Sequence, residues 1–156
     1  MKIAFLFIIL IVLGGMAYIR LAPSDPARWH SLPPPDGAAR WGPRPPGTDP
    51  VEALTGGARA SVTVFDETPP EVLTRLDAIA LATPRTRRLA GSPEEGRITW
   101  ISRSALFGFP DYTTAEARAE GPVTVLSVYA RLRFGRSDFG VNATRLRAWL
   151  AQLEAE

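Results

Sequence analysis

The sequence predicts an α+β domain: a mainly antiparallel sheet of about five strands with two helices packed on one face, in the order β-α-β-β-β-β-α, behind an N-terminal transmembrane helix. Three observations carry this expectation. Residues 3–19 read IAFLFIILIVLGGMAYI without a charge. A proline-rich stretch follows, and then a segment in which β-type alternation and helical periodicity are cleanly separated. The domains expected are an anchor over 1–21, a linker over 22–57 and the α+β domain over 58–156.

A helix over Ile3–Ile19 spans about 25 Å at 1.5 Å per residue, the short end of what a bilayer needs. Tyr18, Arg20 and Leu21 extend it into the interface. A cleaved secretory signal is the rival reading, since Lys2 supplies a short positive start. The stretch after Gly15 lacks a small-x-small site, because Tyr18, Ile19 and Arg20 stand where small residues are wanted, so the segment reads as uncleaved. Lys2 favours a cytoplasmic N-terminus, while Arg20, Arg28, Arg40 and Arg44 pull the other way. A minimal tail before the apolar run resembles a signal-anchor. The expected localisation is therefore the inner membrane, with the domain on the periplasmic side and residues 3–19 in lipid.

Nine prolines fall between Pro23 and Pro50. Proline fixes φ and removes an amide donor, so this stretch reads as a semi-rigid polyproline II spacer. Arg28-Trp29-His30 and Arg40-Trp41 interrupt it, and one of the two indoles is expected to pack back onto the domain. His30, alone in the linker, reads as a solvated or stacking residue.

Within the domain, Ser61–Phe65 alternates and reads as a strand. Thr68 is placed to cap a helix, with Pro69 at its first position and Glu71 closing a capping box. Val72, Leu76 and Ile79 share a stripe until Pro84 stops the helix. Further strands are expected over 85–90, 97–103, 112–120 and 123–134. The last has two unlike faces: Thr124, Leu126, Val128, Ala130, Leu132 and Phe134 face the core, while Tyr129, Arg131 and Arg133 lie opposite. Leu146, Trp149, Leu150 and Leu153 recur at helical spacing, with Asn142 as the expected N-cap and Val141 with Leu146 as a hydrophobic staple.

The run from Ala130 to Arg145, ARLRFGRSDFGVNATR, holds the densest set of specific-looking residues. It resembles the C-terminal hallmark of the bacterial and plastid family catalogued as a domain of unknown function, number fourteen ninety-nine: Ser-Arg-Ser-Arg-x-Gly-x-Ser-Asp-x-Gly-x-Asn-x-x-Arg. Ala130 and Leu132 replace its two leading serines, and the other hallmark positions match. Phe107–Asp111 is similar to the family's Phe-Pro-Asp segment, and Leu21–Pro26 with Arg28-Trp29-His30 to its membrane-proximal part. The resemblance implies a fold and a family, but no activity.

Two readings of this cluster stand side by side. In the structural one, Asp138 pairs with Arg145 across the turn and the glycines take angles other residues resist. In the functional one, Arg131, Arg133, Tyr129, Asp138, Asn142 and Arg145 form a site for an anionic ligand at a helix N-terminus. Arg85, Arg87 and Arg88 read as a solvated basic face. Zero cysteines and one histidine exclude thiolate chemistry, disulfides and most histidine-based centres. No cofactor motif is present. The 18 basic and 16 acidic residues nearly cancel, which excludes nucleic acid as a partner. The sequence therefore points to a membrane-anchored envelope protein, a non-enzymatic binding domain for an anionic small molecule, lipid headgroup or protein partner. The alternatives are a hydrolase using Asp111 or Asp138 as base, and a structural subunit of a membrane complex.

Overall fold

A computed structural model describes residues 2–32, 45 and 47–155. Along the chain these form helix α1 (Lys2–Leu21), a single turn α2 (Pro26–Trp29), strands β1 (Val51–Leu54) and β2 (Gly57–Phe65), and helix α3 (Pro69–Ala82). Strands β3 (Thr86–Ser92), β4 (Arg97–Arg103), β5 (Pro110–Glu120) and β6 (Val123–Leu132) follow, and helix α4 (Val141–Ala155) ends the order. The expected linker residues 33–44 and 46, Arg40 and Trp41 among them, lie outside the described residues.

The six strands pair antiparallel in the order β1-β2-β6-β5-β4-β3. One strand more than expected is present, because β1 lies in what the sequence suggested was linker. Val51 is buried against the core and pairs with Ala60, while Glu52 faces Arg59 across the hairpin and accepts two hydrogen bonds from it. The expected boundary after residue 57 thus falls inside the β1–β2 hairpin. Pro50 does not interrupt the sheet because it stands just outside the strand, where its missing N–H is not needed.

Helix α3 starts where Thr68 gives its N–H and hydroxyl to the Glu71 carboxylate, both at 2.7 Å. It ends at Ala82, two residues before Pro84. Helices α3 and α4 cover one face of the sheet, burying Leu73, Leu76, Leu146 and Leu150 against Ile98, Trp100, Leu126 and Val128. Each such side chain contributes about 1.5–3 kcal/mol on burial. Trp100 and Trp149 meet edge to face at 5.6 Å in the middle of this layer. Their indole N–H groups do not go unpaired: Trp100 donates to buried Asp77 at 2.7 Å and Trp149 to Thr83 at 2.8 Å. Asp77 also accepts from Arg88, so one of the three expected solvated arginines holds β3 to α3.

Helix α1 is the one candidate membrane span among the described residues. Its mean hydropathy over Ile3–Leu21 reaches 2.4 and none of that window is buried in the protein. A core helix of this composition would be covered, so α1 is long and apolar enough to cross a bilayer and has no protein surface to hide in.

Candidate functional site

The sheet face opposite α3 and α4 is not bare. The segment that leaves α1 crosses it as a strap, and two of the residues expected to hold an anion, Arg131 and Arg133, hold the strap instead. Asp25 accepts from the Ala27 amide at 2.9 Å and Pro26 occupies the first helical position, so Ser-Asp-Pro folds one turn that aims Trp29 at the sheet. Trp29 lies flat on Tyr112, and with Ile101 and partly buried Leu89 the two rings form a second small core. Of the two linker indoles, Trp29 is thus docked on the domain.

Arg131 donates to the Trp29 carbonyl at 2.8 Å, and its guanidinium lies 5.2 Å from the Trp29 ring and 5.3 Å from the Tyr129 ring. Burial lowers the Arg131 pKa from its ordinary value, yet a guanidinium stays charged, and carbonyl and rings compensate that charge. Arg133 donates to the Pro23 carbonyl at 2.8 Å and the Tyr112 hydroxyl at 3.1 Å, and Ser24 meets the same hydroxyl at 2.7 Å.

A directional hydrogen-bond chain continues the clamp. The Thr114 hydroxyl lies 3.2 Å from the Trp29 carbonyl, to which it is the donor, and 2.9 Å from the Thr99 hydroxyl. His30 Nδ1 lies 2.9 Å from Thr99. With Thr114 donating to the carbonyl, Thr99 donates to Thr114, and His30 must supply the Nδ1–H. His30 is therefore seated, not merely solvated. Gly91, at φ +83° just after the bulge between Arg88 and Ala90, has no room for a side chain: a Cβ there would clash with the Arg97 carbonyl and stand 2.7 Å from His30 Cε1. Burial, then Arg97, lower the His30 pKa, with Glu95 opposing.

The other half of the expected site lies elsewhere. Helix α4 begins at Val141, so Asn142 is its second residue and not its cap. Asp138 performs the capping, accepting from Gly140 N at 3.2 Å and Asn142 N at 2.9 Å. Phe139 and Gly140 both take positive φ, 52° and 80°, which bends the chain back far enough for this. The expected staple does not form, since Leu146 is in the core while Val141 is 52% exposed. The expected Asp138–Arg145 pair is not the one formed: Arg145 meets Asp111 at 3.3 Å and donates to Asn142 Oδ1 at 2.7 Å. Asp111 reaches Arg145 because β5 enters the sheet at Pro110 opposite the end of β6. Burial raises the Asp111 pKa above its ordinary value; Arg145 and Asn142 oppose this and Asp138 adds to it.

These groups sit beside a hollow of about 360 Å³ that the sequence did not reveal. Phe109, Leu132, Phe134, Phe139 and Val141 form its apolar wall, and Asp111, Asp138, Ser104 and Ser137 its polar part. Among the described residues no histidine lines it, and no group of three metal-ligating side chains occurs. An aromatic row joins the hollow to the anchor: Phe107 to Phe109 at 5.7 Å, Phe109 to Phe134 at 6.3 Å and Phe134 to Tyr18 at 6.2 Å. The Phe-Gly-Phe-Pro-Asp segment was the available signal, but only the fold brings it beside residues 132–141.

The structure thus separates the six expected residues into two sets. Arg131, Arg133 and Tyr129 belong to the strap clamp, and Asp138, Asn142 and Arg145 to the start of α4. No curated protein matches the chain. A family model matches residues 44–153, which include both sets and the hollow but not the strap or α1. The chain belongs to the family described as Protein of unknown function (DUF1499).

Proposed function

We propose that the chain is a membrane-anchored, non-enzymatic binding domain whose ligand is an amphipathic molecule seated in the hollow between Phe109 and Val141. The apolar body lies against Phe109, Leu132 and Phe134, and a neutral or cationic head meets Asp111 and Asp138. In this reading α1 is the anchor and the domain lies on the periplasmic side of the inner membrane, which the signal-anchor pattern supports.

One juxtaposition carries this reading. An apolar-walled hollow lined in part by the partly buried Asp111 carboxylate shares Phe134 with the contact to Tyr18 of α1. Its volume suits a small ligand or a short stretch of acyl chain. The ionisable members of the lining are both carboxylates, and the lone pairs left over from their Arg145 and backbone-amide bonds favour a neutral or cationic head over an anion. An anion at Arg131 and Arg133 would have to displace carbonyl groups already bonded there. Catalysis is disfavoured because Asp138 is committed to two backbone amides and Asp111 to Arg145.

The test uses the full chain in phospholipid nanodiscs, with dodecylammonium and dodecyl sulfate as probes. Dodecylammonium is expected to raise the melting temperature, as a ligand of the native state does. Dodecyl sulfate should not, and Val141→Trp, which fills the mouth from an exposed position, should abolish the rise. A sulfate-preferring response, or one that Val141→Trp leaves intact, contradicts the reading.

A further inference from the structure

Two loops at the end of the domain nearest α1 expose apolar side chains that no core explains. In the loop between β4 and β5, Leu106 is 70% exposed and Phe107 42%. In the loop before α4, Phe139 is 93% exposed. Exposed aromatic and leucine side chains gathered at one end of a domain mark an interaction surface rather than scatter.

Contacts of α1 identify what lies against it. Arg20, in the last turn of α1, donates to the Leu106 carbonyl at 3.4 Å, and its own carbonyl accepts from Arg103 at 3.4 Å. Its stem runs past Gly108, where a Cβ would stand 3.1 Å from Arg20 Cγ. Arg103 in turn donates to the Gly108 carbonyl at 2.8 Å and is bonded through its backbone to Arg85. The first loop is thus tied to the residue at which the apolar helix ends, and Phe134 ties the second to Tyr18. With α1 across a bilayer, both loops stand at its surface by construction.

The charges agree. Arg20 and Arg103 contact the first loop, Arg85 donates to the Arg103 carbonyl and Arg136 belongs to the second loop; none of the four forms an ion pair with a carboxylate among the described residues. Arginines without a carboxylate partner beside exposed phenylalanines are the composition of an interfacial surface, with rings in the acyl boundary and the guanidinium N–H groups left over from the carbonyl bonds on phosphates.

We infer that loops Ser104–Phe109 and Gly135–Gly140 dock the domain on a bilayer containing anionic phospholipid, inserting Leu106, Phe107 and Phe139 beside the anchor. This rests on α1 being a membrane anchor. It goes further in making the domain lie against the membrane, with the hollow, whose wall includes Phe139, opening to the lipid phase.

Because the chain has no cysteine, single-cysteine spin labels report depth without background. Leu106→Cys, Phe139→Cys, Leu13→Cys and Glu94→Cys are each placed in the full chain, reconstituted in phosphatidylethanolamine–phosphatidylglycerol vesicles. Labels at 106 and 139 are expected about 5–10 Å below the phosphate level, the label at 13 deeper, and the label at 94 in water. A buried label at 13 with aqueous labels at 106 and 139 overturns the docking surface and leaves the anchor. An aqueous label at 13 overturns the anchor itself. Labels at 106 and 139 shielded from both water and lipid mean that protein covers the loops, which also overturns the proposal.

Discussion

Trp29 lies on Tyr112 with ring centroids 3.9 Å apart and planes 7° from parallel. Tyr112 is fully buried in the middle of the sheet, whereas Trp29 belongs to the chain that has just left the apolar helix. This stack holds the start of the proline-rich stretch, which the sequence suggests is a semi-rigid spacer, against the sheet.

Removing the indole should release the strap. Trp29→Ala is expected to destabilise the domain by about 3 kcal/mol, the lower range for truncating a buried aromatic. Trp29→Phe should cost less, since it keeps a stack. Urea unfolding followed by circular dichroism measures both, and hydrogen exchange over residues 22–32 should rise in Trp29→Ala alone.

Arg131 should behave as a clamp. Arg131→Ala leaves the Trp29 carbonyl with Thr114 alone and is expected to cost about 1.5–3 kcal/mol, the range for a hydrogen bond to a charged group. Dodecylammonium should still raise the melting temperature of this variant by the wild-type increment. A wild-type stability with a lost ligand response would return Arg131 to the ligand site.

His30 gives the strap a pH dependence of definite sign. Its folded pKa lies below the ordinary 6.5, chiefly through burial and secondarily through Arg97. As pH falls, the unfolded chain therefore takes up the proton first. The stabilisation from neutral His30 is complete above its unfolded pKa and is lost as pH falls through that value toward the folded one. Stability should begin to drop in the wild type as pH falls through about 6.5, and His30→Gln should flatten that slope. Urea midpoints at half-unit pH steps read it directly.

Double-mutant cycles separate the two aspartates at the start of α4. Asp111 with Arg145 should couple by about 1–3 kcal/mol, being a partly buried pair in direct contact. Asp138 with Arg145 should couple far less. Asp138→Ala alone is expected to cost about 1–2 kcal/mol, as the loss of a helix cap does, and Asp138→Asn less. Strong Asp138–Arg145 coupling would restore the turn-spanning pair that the sequence suggests.

What the sequence revealed was local. Strand β4 and helix α3 were readable because alternation, the Thr68–Glu71 cap and Pro84 all act within a few residues. Strand β1 was hidden by its length and by prolines on its N-terminal side, although Glu52 and Arg59 sit in hairpin register. The turn at Pro26 carried an Asp-Pro signal that the surrounding prolines masked. In the expected site, the Arg145 pairing differs from the one the sequence suggests. Asp138 lies nearer Arg145 in the chain, but the cap consumes it, and Asp111 arrives through the register of β5 on β6. Arg131 and Arg133 do lie on one face of their strand, as alternation requires. What lies over that face comes from residues a hundred positions away, and no spacing rule reports it.

Amide chemical-shift mapping of the nanodisc-embedded full chain during titration with dodecylammonium tests the proposed site most directly. Shifts are expected to gather on Ser104, Phe109, Asp111 and residues 132–141, with Trp29, His30 and Arg131 unmoved. Shifts centred on the strap and Arg131, or spread evenly over the domain, would contradict it.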